Sequence, residues 1–364
     1  MAIGDRFPSE SSTQVDPVSG AMVRQITAHP SIHHHPFCYV PAFDDAMQRL
    51  CFVSHRGGMP QIFVEQRGSG ELMQVTDRDD LVEWSLHPSA DGRYVYYTGA
   101  TAGYRVELAT LEEQQVIDLR GTTKAAGMVA AGMGTTSLSH DGIWWAVPVR
   151  RGERAQLLVV NTVSGAAHVA CENDNIGHPQ FHPNDANLIR YGGPYDRRLW
   201  ITARDGNGHR LVYQRDVAKK EWIVHESWHP HARQILTANW PHGVMAVDID
   251  SGATRWVTRF NAWHPMVAPS GRWMVTDTKH PDIGIQLFEI ADHPTVPRLL
   301  CLSQASSRGE HWNGNHCPYD DGPVDVYAPQ HTHPHPSFSP DGSRVIFTSD
   351  RSGYPQIYEV QCPT

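Results

Sequence analysis

Three histidines alternate in the stretch "YAPQHTHPHPSFSPDGSRVIFTSDRSGYPQIYEV": His331, His333 and His335. Alternate residues of extended chain face the same side, so His333 and His335 present two imidazoles together. Other histidines join them by position. His335 stands four residues before Ser339 of a Ser-Pro-Asp-Gly turn. His264, His225 and His178 stand four residues before Ala268, His229 and His182, at turns of the same kind. Neutral imidazoles gathered around one point suit a divalent transition metal. Gln330, just upstream, could add a carbonyl oxygen. A set of His264, Gln330, His333 and His335 mixes nitrogen with oxygen. That fits Mn²⁺ and similar ions better than a structural zinc, which usually takes thiolates as well. His331, further out on the same alternation, reads as a bystander. The competing reading is structural: such histidines cap a turn or bond a neighbouring unit, and His-x-His also occurs without metal.

The elements that must position these residues form a repeat. "LCFVSHRGGMPQIFVEQ" from Leu50 aligns without gaps on "VIFTSDRSGYPQIYEVQ" from Val345, matching Ser54 with Ser349, Arg56 with Arg351 and Gln61 with Gln356. The unit is strand, short polar turn, strand, Ser-Gly turn, strand, which reads as all-β. Seven such entrances occur, at a typical spacing of roughly 40 to 50 residues, which suits four-stranded propeller blades. Residues 1–364 therefore read as a single seven-bladed β-propeller. The last copy runs out after about two strands. "VSGAMVRQIT", Val18 to Thr27, resembles the last strand of a blade and is expected to complete blade seven and close the ring, leaving no free sheet edge. In such a ring the entrance of each first strand lies at one mouth of the central channel. The four histidines, from blades four to seven, should then converge. Blades one, two and three carry Val40, Glu83 and Thr135 at that position. Residues 303–334 break the period as an insertion between blades six and seven; a loop of that length is usually either functional or disordered, and its histidines, Trp312 and acidic run favour function.

Composition limits the remaining classes. Net charge is −9, which argues against nucleic acid as a partner, because phosphate binding needs a basic face. A small anionic ligand needs only a few local cations. No window of about 18 apolar residues suggests a membrane span, and the N-terminal stretch has no basic segment followed by an apolar one, as a secretory signal would. The six cysteines, Cys38, Cys51, Cys171, Cys301, Cys317 and Cys362, form no Cys-x-x-Cys pair. They read as reduced, mostly buried thiols. A cytoplasmic location is expected.

"QHTHPHPSFSPDGSRVIFTSDRSGYPQIY" resembles the closing motif of the oligogalacturonate lyases, polysaccharide lyase family 22. "HHHPFCYVPAFDD…RLCFVSHRGG", "IGHPQFHPNDANLI" and "VHESW" are similar to further stretches of that family. The resemblance covers most of the chain, more weakly in the central blades. It implies a seven-bladed propeller that cuts short α-1,4-linked galacturonides by β-elimination, with Mn²⁺ as the usual metal. By motif, Gln330, His333, His335 and His264 match the metal ligands, and His225 matches the catalytic histidine. Arg198 sits where the family has an arginine, with Arg197 adjacent. Two departures stand out: Tyr191-Gly192-Gly193-Pro194 replaces a His-Glu-Gly-Pro segment, and His55 replaces the aspartate of a Ser-Asp-Arg turn. Both bear on the exact uronide.

The implied chemistry is coherent. The C5 proton of a uronate is weakly acidic, and a cation on its carboxylate stabilises the enolate-like intermediate. A neutral histidine can remove the proton near neutral pH, and His225 is the expected base. Arg198 would neutralise a carboxylate or the enolate by bidentate bonds. His34, His35, His178 and Arg56 are further expected substrate contacts, and Trp228 and Trp312 could stack on a sugar. The partner is thus a small acidic oligosaccharide, with no nucleic acid and no membrane. A lyase for another uronate and a non-catalytic TolB-like interaction propeller are the alternatives. No G-x-S-x-G occurs, which argues against a serine peptidase.

Overall fold

The computed structural model describes residues 1–123, 133–219, 221–279, 281–306 and 330–363, with Gln330 described in its backbone only. Among these residues the chain forms seven antiparallel sheets, the blades of a propeller. Blade one comprises His33–His34, Arg49–Ser54, Gln61–Gln66 and Leu72–Gln74. Blade four comprises Gly177–His182, Asp185–Gly192, Leu199–Ala203 and Arg210–Tyr213, and blade five comprises Ile223–Trp228, Gln234–Asn239, Gly243–Asp248 and Thr254–Thr258.

The blades stack because their inner strands are apolar on both faces. Side chains alternate along a strand, so each strand feeds two cores. In blade one, Cys51 and Val53 pack with Val95, Tyr97 and Val106 of blade two. The intervening Leu50 and Phe52 pack with Ile346 and Ile357 of blade seven. Every blade therefore needs a neighbour on each side, which a closed ring supplies.

Closure follows the expectation. Blade seven takes Ser337–Phe338, Arg344–Ser349 and Gln356–Gln361 from the C-terminus. Its next strand is Met22–Gln25, with Val23 opposite Val360 and Gln25 opposite Tyr358. The N-terminus goes further than expected. Ser12–Val15 adds a fifth strand to blade seven, and Arg6–Phe7 adds one to blade one. A buried ion cluster fastens the same seam. Arg67 reaches Glu65 at 2.7 Å and Glu359 at 2.7 Å, while Arg24 reaches Glu359 at 3.2 Å.

The chain between blade one's first two strands fills the channel. Phe37, Cys38, Tyr39 and Val40 join a central cluster with Trp84, Met266 and Phe338. At the turn-bearing mouth a cavity of 430 Å³ is lined by Tyr39, Pro183, Pro230, His231, Pro269 and Pro340. The insertion expected at 303–334 lies mostly outside the described residues, and Trp312 and Cys317 with it. Its last residues return as a short turn, Gln330–Thr332, followed by the strap 333–336 that leads into blade seven.

Candidate metal centre

The four histidines of the repeat position meet at the ring of Phe37. Its centroid lies 4.3 Å from His178, 6.5 Å from His225, 6.0 Å from His264 and 4.9 Å from His335. The backbone turns them inward. His178, His225 and His335 have φ of 50°, 54° and 46°, a left-handed conformation that is uncommon for such residues and clusters at functional sites. In blades four and five the strand pairing shifts across His178 and His225, between Gly177 and Gln180 and between Val224 and Glu226. A bulge re-aims a side chain in this way. A regular strand would alternate these imidazoles into a blade core.

Three of the histidines form a potential ligand set. The donor atoms of His264, His333 and His335 all lie within 4.8 Å of one another, and all three side chains are buried. His264 Nδ1 donates to Asp277 Oδ2 at 2.7 Å, and Asp277 Oδ1 accepts the His264 backbone N–H at 2.8 Å. The proton is thereby held on Nδ1, and the buried Nε2 meets no hydrogen-bond partner. A carboxylate behind an imidazole is the usual support of a metal-ligating histidine. This donor set therefore fits a divalent cation. Burial first, then the charge of Lys279, holds His264 and His333 well below the ordinary imidazole range. Burial first, then His264, does the same for His335. Neutral imidazoles are the form that ligates. Burial pushes Asp277 up to about 6, which leaves it ionised at neutral pH. The side chain of Gln330, the fourth expected ligand, lies outside the described residues.

His225 sits beside the set, its ring 4.1 Å from that of His264. Its Nδ1 donates to the Trp263 carbonyl at 2.6 Å, which leaves Nε2 as the basic atom. Burial first, then His264, and also Arg198, hold it well below its ordinary value, so it is neutral.

Arg198, not Arg197, faces inward. Arg197 is partly exposed and pairs with Asp174 at 3.4 Å. Arg198 is buried with Nε 2.6 Å from Glu226 Oε1, and Arg190 Nη1 lies 3.2 Å from Glu226 Oε2. Two guanidinium groups share one buried carboxylate, so a net positive charge remains behind His225.

The other expected contacts separate. His178 is stacked on Phe37, with Nδ1 3.0 Å from Thr135 Oγ1. His35 Nε2 meets the Pro334 carbonyl at 3.2 Å, which ties the channel segment to the strap. His34 turns to a different group, with Glu83, His55 and His331. Arg56 has structural partners: Glu10 at 3.0 Å and the rings of Phe7 and Phe63. Its backbone N–H donates to Ser54 Oγ just as that of Arg351 donates to Ser349 Oγ. Trp228 Nε1 donates to the Gln180 carbonyl and packs between blades four and five. One register also differs from expectation. Ser89 N–H donates to the Tyr94 carbonyl as Ser339 N–H donates to that of Arg344. Counting back four residues from Ser89 gives Ser85 as blade two's equivalent, so Glu83 lies outside the repeat position.

Sequence reasoning missed Phe37, Asp277 and Lys279, and treated Glu226 only as a motif letter. Each acts through a neighbour and has no repeat equivalent to mark it. The one signal within reach was charge: Glu226 and Arg190 lie on inner strands of adjacent blades, with Arg198 just before Leu199–Ala203.

Fold and site together define a propeller with a buried histidine cluster fit to hold a metal, beside a neutral histidine and a buried arginine pair. The model of the family described as oligogalacturonate lyase matches residues 1–364, and the chain belongs to that family. It is similar to the oligogalacturonide lyase of Pectobacterium atrosepticum, at 26% identity over 100% of this chain and 99% of the relative. It is also similar to the oligogalacturonate lyase of Dickeya dadantii, at 24% identity over the same shares. Two solved structures share the fold. An oligogalacturonate lyase in complex with manganese has TM-score 0.83 and 22% identity, covering 100% of this chain and 99% of that one. An oligogalacturonate lyase from Vibrio parahaemolyticus has TM-score 0.81 and 21% identity over the same shares.

Proposed function

We propose that this chain cleaves short α-1,4-linked galacturonides by β-elimination, using a divalent metal of the Mn²⁺ type and giving products with a 4,5-unsaturated uronate end. The reading is carried by one observation: a neutral histidine, His225, stands against a buried ligand set whose lead imidazole is oriented by a carboxylate. Membership of the lyase family and the manganese held by a relative of the same fold support it.

His264, His333 and His335 would hold the metal, with Gln330 as the fourth ligand. The bound metal would supply a Lewis acid for the uronate carboxylate. His225 Nε2 takes the C5 proton while the Trp263 carbonyl fixes the ring by its Nδ1–H. The electron pair left at C5 forms the C4–C5 double bond, the C4–O4 bond breaks with its pair going to O4, and the departing O4 takes a proton from water. Arg198 supplies positive charge beside the developing enolate, and Glu226 holds its guanidinium in place. His35 and His178 position the channel segment and Phe37, the floor of the site.

The substrate is a small acidic oligosaccharide. No helix among the described residues is long and apolar enough to cross a membrane. The five described cysteines are free and buried, which supports a reducing compartment such as the cytoplasm. The test is ultraviolet absorbance of the conjugated product from digalacturonate, with Mn²⁺ and with a chelator. Product that appears only with metal is the expected result. Absence of product with metal bound would redirect the reaction to another uronide.

A further inference from the structure

His34, His55, Glu83 and His331 form a second four-donor group apart from the ligand set above. One nitrogen from each imidazole and a carboxylate oxygen lie within 4.8 Å of one another. The four come from separate parts of the chain. His34 ends blade one's first strand, and His55 follows its second. Glu83 opens the turn Glu83–Ser85 before blade two, and His331 lies in Gln330–Thr332.

Glu83 is the hub. Its Oε2 lies 2.8 Å from His55 Nε2 and 3.4 Å from His34 Nε2, and its Oε1 lies 3.2 Å from His331 Nε2. His34 Nδ1 faces the His35 carbonyl at 3.0 Å, so that atom carries the proton. In the neutral ring, Nε2 then points a lone pair at a carboxylate, and two acceptors face each other without a cation between them. A divalent ion serves all four donors at once.

Trp84 walls the group. Its ring stacks on His34 at 4.0 Å and on His331 at 5.9 Å. His34 is buried, while the other three side chains keep about a fifth to a quarter of their surface open, at 19%, 22% and 24%. An ion can therefore enter.

We propose that His34, His55, Glu83 and His331 bind a second divalent cation of the zinc class. Three imidazole nitrogens and one carboxylate oxygen form a closed four-coordinate set for such an ion. Its work is positional. His331 is two residues before His333, so the ion pins to blades one and two the strap that carries His333 and His335 into the first centre. The second site stands whether or not the reaction proposed above is correct.

The test counts metal. The full chain is stripped with a chelator, reloaded with Zn²⁺ alone, cleared of excess and analysed for zinc per chain. Native protein should hold two equivalents. His55→Ala, Glu83→Gln and His333→Ala should each hold one, with circular dichroism confirming the fold. His55→Ala alters a surface turn and decides the matter if Glu83→Gln does not fold. A single equivalent in native protein that both His55→Ala and Glu83→Gln retain would overturn the proposal. So would two equivalents in native protein that both variants keep.

Discussion

His264 Nδ1 lies 2.7 Å from Asp277 Oδ2, with both side chains buried. That contact decides which nitrogen is left for a metal. Asp277→Asn keeps the shape but removes the charge and can reverse the ring tautomer. Loss of such a support typically weakens metal binding by roughly 10–100-fold. Calorimetric titration with Mn²⁺ should show this loss. Unchanged affinity would mean that the carboxylate does not orient the ligand.

Glu226 is shared by two buried guanidinium groups, Arg190 and Arg198. Removing one partner of a buried ion cluster leaves charge uncompensated, at a cost of roughly 3–5 kcal/mol. Glu226→Gln should lower the urea midpoint by a corresponding amount and reduce turnover, because Arg198 loses its anchor. A variant with native stability and native turnover would contradict this role.

Phe37 touches all four histidines of the repeat position. Phe37→Ala opens a cavity there and should cost about 3–5 kcal/mol, as buried Phe truncations do. Metal affinity should fall with stability, since the cavity lets the imidazoles drift. Chemical denaturation and Mn²⁺ titration on the same sample check both. A loss of stability with unchanged affinity would separate Phe37 from the site.

Much of the molecule was legible in the sequence because repetition made it so. Alignment of Ser54 and Arg56 with Ser349 and Arg351 gave the blade, and Val18 to Thr27 gave the closure. The shared offset before each turn brought His178, His225, His264 and His335 to one place. What escaped was what has no copy. Arg6–Phe7 and Ser12–Val15 are extra edge strands with no repeat partner. Asp277 and Lys279 follow the strand Trp273–Thr276 in blade six; Asp277 bonds His264 directly and Lys279 acts on it through space. His331 read as a bystander because alternation extended it outward. The short turn Gln330–Thr332 breaks that alternation and delivers it to Glu83. Glu83 was given a repeat position that belongs to Ser85, since the turn Glu83–Ser85 lies inside the spacing that was counted.

The central claim is a division of labour: His264, His333 and His335 hold metal, and His225 moves the proton. The direct measurement is on His225→Ala, comparing Mn²⁺ affinity with the rate of unsaturated-product formation from digalacturonate. Affinity should stay at the native value while the rate falls by about 10²- to 10⁴-fold, the usual worth of a general base. Native turnover in this variant would contradict the account, and so would loss of metal along with activity.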